Sequence, residues 1–134
     1  MKEAFLFLWQ LPQNLLGLLL LLIYRHETEY HRLNGRRFYY TKEIRSGISL
    51  GNYIIMNRAD VEDGLHHEYG HSIQSRYLGP LYLLVIGLPS LLGNIYDTLA
   101  HRHWSYERSC KWYYGQPWEA WADKLGGIIR EYDE

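Results

Sequence analysis

The chain has 134 residues, enough for one domain of ordinary size. Its 14 basic side chains are nearly balanced by 15 acidic ones, which excludes the basic surplus of a nucleic-acid binder. One cysteine, Cys110, excludes an intramolecular disulfide scaffold and permits a reducing compartment.

Ala4 to Tyr24 carries no charge over 21 residues, and a membrane-spanning helix needs about 20. Lys2 is offset by Glu3 and no small-residue cleavage site follows Ile23, so this apolar N-terminal segment (1–24) is read as retained rather than as a removable signal. Gln10, Pro12, Gln13 and Asn14 interrupt it, and two forms stay open: one span, or two half-helices lying in the interface. Arg25, Arg32, Arg36 and Arg37 follow, which places this flank on the cytoplasmic side by the positive-inside rule.

The stretch RRFYYTKEIRSGISLGNYIIMN is rich in β-favouring residues, among them Phe38, Tyr39, Tyr40, Tyr53, Ile54 and Ile55. Arg45-Ser46-Gly47 is a turn signal, and the pattern predicts a β-hairpin. Asp60 is placed to cap a helix, with Glu62 and Asp63 in its first turn, where the helix dipole favours acids. Val61, Leu65, Ile73 and Leu78 give it an apolar stripe, and Gly79-Pro80 ends it.

A second uncharged run, Tyr77 to Tyr96, is 20 residues long and broken at Pro80, Gly87 and Pro89. The absence of charge predicts lipid contact rather than a soluble core. The 13 tyrosines and 5 tryptophans are types that favour membrane interfaces. A last helix starts at Pro117, with Trp118, Trp121, Leu125 and Ile129 on one stripe. No internal repeat or low-complexity linker divides the chain, so 1–134 reads as one α+β domain.

The chemistry concentrates in HHEYGH, residues 66–71. His67 and His71 are four apart, so a helix presents both imidazoles on one face. Two such nitrogens can reach one zinc ion at about 2.0–2.1 Å. Glu68 points to the side, where it can act as general base on a water at the metal. His66 faces about 100° away from His67 and is not a ligand. A histidine-rich extension fails, because the positions three and six past His71 hold Gln74 and Tyr77. The third ligand is expected from Glu119 in WEAWAD, with Asp123 one turn on to orient a ligand histidine. His101 and His103 are the rival third ligands. Tyr96, Tyr106, Tyr113 and Tyr114 are candidate electrophilic helpers, and Cys110 lacks any motif that would make it a nucleophile.

HEYGH followed by EAWAD resembles the gluzincin branch of zinc metallopeptidases. The stretch HEYGHSIQSRYLGPLYLLVIGLPSLL with the later ADKLGG is also similar to small uncharacterised bacterial zincin-like proteins. The resemblance covers roughly residues 45–127. It implies a minimal zincin-like unit over 37–134: a β-hairpin, the HExxH helix and a C-terminal glutamate helix; it does not extend to the first 24 residues, and the two apolar membrane-associated segments are read from charge and length. It implies Zn2+ held by His67, His71 and Glu119, with Glu68 as the base. An edge strand through Ser49, Leu50, Gly51 and Asn52 would hold an extended substrate. The implied activity is hydrolysis of a peptide or protein substrate at a membrane, with membrane lipid as a further partner. The implied location is the cytoplasmic side of a bacterial inner membrane. The alternative is a non-catalytic membrane protein with a structural zinc site or a partner-binding role. Glu68 separates the two, because a structural site does not need it.

Overall fold

A computed structural model describes residues 1–24, 30–58 and 63–131. Two apolar helices come first, α1 (Lys2–Trp9) and α2 (Leu11–Ile23), bent by 83° about Gln10. Four short strands follow: β1 (Tyr30–Leu33), β2 (Arg36–Thr41), β3 (Ile48–Leu50) and β4 (Tyr53–Asn57). The long helix α3 (Asp63–Leu78) leads through a tight 3-10 turn (Gly79–Leu81) into a π-helical turn (Leu83–Gly87). That turn runs into α4 (Leu88–Ala100), and α5 (Tyr106–Tyr114) and α6 (Pro117–Gly126) complete the described chain. The class is α+β, with a small mixed sheet.

The strand order is β1-β2-β4-β3. β1 and β2 form an antiparallel hairpin turned at Asn34-Gly35, with φ of 49° and 79°. A two-residue type I′ turn requires both residues to be left-handed, and Asn-Gly meets that need best. The hairpin expected across Arg45–Gly47 does not form. β2 instead lies parallel to β4, with Phe38 opposite Ile54, and β3 pairs antiparallel with β4 across a turn at Gly51-Asn52. The reason is burial. Pairing β2 with β4 gathers Phe38, Ile54 and Met56 into one cluster against Leu65 and Tyr69 of α3. Each such side chain contributes roughly 1.5–3 kcal/mol when fully buried. The pleat sends Tyr53 to the other face, where Gly17 of α2 lies close against it. β4 is therefore covered on both faces, and its apolar run does not alternate.

The polar residues that interrupt the first apolar run dock it to the rest of the chain. Gln10, Gln13 and Asn14 are all fully buried. Ser75 Oγ donates to Gln10 Oε1 at 2.7 Å, and Gln13 Nε2 donates to Ser75 Oγ at 2.9 Å and to the Gly79 carbonyl at 2.8 Å. The Asn52 amide donates to Asn14 Oδ1 at 2.8 Å. The leucines of the same helices point outward, with Phe5, Leu8, Leu15 and Leu22 more than half exposed.

Three further expectations change. Asp60, Val61 and Glu62 lie outside the described residues, and the buried side of α3 is polar (His67, Glu68, His71, Ser72, Gln74, Ser75) while Leu65, Ile73 and Leu78 are only half buried. Pro89 is not a break, because it occupies the first turn of α4, where its missing N–H is not needed. α6 ends at Gly126, and left-handed Gly127 terminates it. Ile129 thus leaves the expected stripe and is 88% exposed. The buried face of α6 is Glu119, Ala122 and Asp123.

Candidate metal centre

Two glycines let α3 and α6 approach until their backbones touch. A Cβ on Gly70 would strike the Ala122 carbonyl, and one on Gly126 would strike the His66 carbonyl. This contact brings the buried faces of the two helices together. His67 Nε2 lies 3.0 Å and His71 Nε2 lies 2.9 Å from the same oxygen, Glu119 Oε2. The ligand atoms of these three residues all lie within 4.8 Å of one another. His67, His71 and Glu119 thus form a buried group able to hold a metal ion.

The far nitrogen of each imidazole is also fixed. His67 Nδ1 meets Asp123 Oδ1 at 2.7 Å, and His71 Nδ1 meets Gln74 Oε1 at 2.7 Å. Arg130 grips the Asp123 carboxylate through Nε at 2.6 Å and Nη2 at 3.0 Å. Gln74 Nε2 donates to the Trp118 carbonyl at 2.8 Å, which leaves Oε1 as an acceptor. Both partners therefore accept, and each Nδ1 carries its proton. Neutral imidazoles would then aim two Nε2 lone pairs at a carboxylate oxygen. Only a cation at that point, either protons or a metal ion, removes the repulsion. Among the described residues no group meets the buried Glu119 Oε1 with hydrogen-bond geometry, and Ser90 and Tyr113 face this carboxylate.

The electrostatics agree with this arrangement. Burial alone would lower the pKa of His67. The bonds to Asp123 and Glu119, with the negative charge of Glu68, overcome that effect and push it up to about 9. Burial would raise the Glu119 carboxyl, but its bonds to His67 and His71 hold it below the usual carboxylate range. Asp123 is lowered too, since His67 and Arg130 outweigh its burial.

Glu68 lies next to His67 on α3 and is buried. The loop from β2 to β3 rests on it so closely that a Cβ on Gly47 would come within 2.5 Å of its Cγ. Tyr113 and Tyr114 adjoin the site. Tyr113 shares a 3.0 Å hydrogen bond with Ser90 and faces the Glu119 carboxylate. Burial, with the charges of Glu119 and Glu68, pushes its hydroxyl well above the ordinary range. The Tyr114 ring meets His67 edge-on at 5.0 Å, and the Arg130 guanidinium stacks on it at 3.4 Å.

The other candidates are not part of the converging group. His101 bonds Asp97 at 2.7 Å and stacks on Trp104 at 3.6 Å, and His66 and His103 are exposed. Tyr96 packs against His101 and Trp112, and Tyr106 is exposed. Cys110 is half buried. Ser49 and Leu50 are buried, with the Ser49 carbonyl accepting from Tyr82 at 2.8 Å, while Gly51 and Asn52 pack beneath Asn14. Sequence reasoning missed Gln74 and Arg130. Gln74 is three residues past His71 on the same helix face, a spacing that could have revealed it. Arg130 lies beyond the end of α6 and has no local signal. Compared with protein-family models, curated proteins and solved structures, the chain gives no match.

Proposed function

We propose that this protein is a zinc-dependent hydrolase of the gluzincin type that cleaves peptide bonds at or near a membrane. The observation that carries the reading is the convergence of His67 Nε2, His71 Nε2 and Glu119 Oε2 on one buried point, with Glu68 beside them. Two nitrogens and one carboxylate are the donor set that suits catalytic zinc, which would lower the pKa of a water and polarise a carbonyl. His67, His71 and Glu119 would hold the ion. Asp123 and Gln74 fix the two imidazoles by their Nδ1 protons, and Arg130 holds Asp123 in turn. Glu68 is not among the converging ligands. It would take the proton of the attacking water and deliver it to the departing amine.

A second reading is a structural zinc site. The burial of all three donors favours it, because structural sites are closed. The distinguishing experiment is metal analysis of the purified protein, coupled with a peptide-cleavage screen of the wild type and Glu68→Gln. Zinc bound at one equivalent, cleavage by the wild type and none by Glu68→Gln would support the hydrolase. Zinc with no cleavage by either protein would favour the structural reading. Absence of any bound transition metal would overturn both.

A further inference from the structure

The exposed apolar side chains form two tracts. One is the outer face of α1 and α2. The other is the outer face of the helical stretch Leu83–Ala100, where Leu84, Leu91, Leu92 and Leu99 are more than half exposed. They adjoin at Gly79, on which Trp9 packs and whose carbonyl Gln13 holds. Soluble monomers rarely leave so large an apolar surface in water. By length and composition Leu83–Ala100 could cross a bilayer, and α1 with α2 would do so if straightened.

Two observations stand against crossing. The 83° bend between α1 and α2 is held by Gln10, Gln13 and Asn14. Straightening it would leave three buried amides without partners, at about 1–3 kcal/mol each. Leu83–Ala100 is mostly exposed and meets α5 at two points, one of them through the half-exposed Tyr96. Ser90 bonds the Tyr113 hydroxyl, and the Tyr96 ring lies 5.4 Å from Trp112. α5 carries Glu107, Arg108 and Lys111 on its exposed side. A crossing helix would draw these charges into hydrocarbon, at about 2.5–3.5 kcal/mol for each basic one.

The charges at the ends of the tracts complement an anionic surface. Lys2 opens α1 and Arg102 and Arg108 follow α4, against the acids Asp97 and Glu107, while Arg76 is paired with Glu3 at 3.3 Å. Trp9 at the junction of the tracts and Trp104, beneath Arg108 at 4.0 Å, at the far end are types suited to the headgroup layer. Resting on the membrane-associated reading above, we infer that the protein docks on a single leaflet of an anionic bilayer. α1, α2 and the 83–100 stretch lie in the interface plane and do not cross. Ser90, Tyr113 and Glu119 connect the lipid-facing helix to the metal centre in three residues. The site therefore lies beneath the membrane surface, and its substrate class is a polypeptide held at that surface.

The test adds purified full-length protein to sealed vesicles of phosphatidylcholine and phosphatidylglycerol. Two single-cysteine variants are made in a Cys110→Ser background, Lys42→Cys in the loop after β2 and His103→Cys after α4. Vesicle flotation measures binding, and a membrane-impermeant maleimide measures sidedness. The expected result is flotation with both cysteines labelled equally before lysis, and several-fold weaker flotation with pure phosphatidylcholine. Labelling of one cysteine only after lysis would overturn single-leaflet docking while leaving membrane association intact. Equal flotation with neutral vesicles would overturn the anionic assignment. Protein that never floats would instead refute the membrane reading itself.

Discussion

At the scale of single residues, the proposed hydrolase assigns holding and reacting to different side chains. Glu119 touches both imidazoles, whereas Asp123 touches one imidazole from behind. Glu119→Ala should therefore abolish tight zinc binding. Asp123→Ala and Arg130→Ala should weaken it by about 10–100-fold, as loss of an orienting partner does. Isothermal titration with zinc measures all three, and a Glu119→Ala protein with unchanged affinity would remove Glu119 from the ligand set. Glu68→Gln should bind zinc as the wild type does yet lose hydrolysis, because the converging ligand group is His67, His71 and Glu119 and does not include Glu68. Zinc loss by Glu68→Gln comparable to that of His67→Ala would refute the assignment. Gln74 was legible only in part. Its spacing from His71 is visible in the chain, but the amide orientation that makes Oε1 the acceptor is set by the Trp118 carbonyl, 44 residues away.

At the scale of elements, the contact between α3 and α6 decides whether the site exists. A glycine inside a helix usually weakens it, and Gly→Ala there gains about 1 kcal/mol from propensity. Gly70→Ala should do the opposite. Its Cβ would meet the Ala122 carbonyl, a backbone atom that cannot rotate away. The cost of overpacking, about 1–3 kcal/mol, exceeds the propensity gain. The variant should melt earlier and bind zinc more weakly. Gly93→Ala serves as the control, since its nearest neighbour lies 3.9 Å away, and it should be neutral or stabilised. A Gly70→Ala protein that melts later than the wild type would contradict this close packing. The apolar stripes on α3 and α6 were misleading for a related reason. Each helix turns its chemical face inward, because hydrogen bonds between the two satisfy the buried polar groups.

At the scale of the whole molecule, the metal-free protein carries a pH dependence with a definite sign. His67 is raised from 6.5 to about 9 in the folded state. Its protonated form therefore stabilises the fold fully below pH about 6.5, and this contribution is lost as pH rises through about 9. The shift corresponds to on the order of 3 kcal/mol. Chelator-treated protein should thus melt at a lower temperature above pH about 9 than near 6.5. Zinc should reverse the trend, because it replaces the Nε2 proton and binds more tightly as that proton leaves. Thermal melts with and without chelator provide the check, and a flat profile for the stripped protein would remove the charged His67 from the account.

Local spacing alone determined much of this protein. The i, i+4 histidines, the carboxylate pair four apart in WEAWAD and the helix start at Pro117 are properties of adjacent residues, and each appears where the chain predicts it. Tertiary structure alone decided which strand pairs with which, because β2 and β4 meet to bury Phe38, Ile54 and Met56 together, a gain no turn signal encodes. It also set Glu119, and not His101, beside His67 and His71. His101 is taken by Asp97 and Trp104, while Gly70 and Gly126 let α6 press Glu119 onto α3. It gave the polar gap in the first apolar run its meaning, since Gln10, Gln13 and Asn14 become intelligible only once Ser75, Gly79 and Asn52 are beside them. Contacts between residues this far apart depend on packing the whole chain at once, and no local window of sequence contains them.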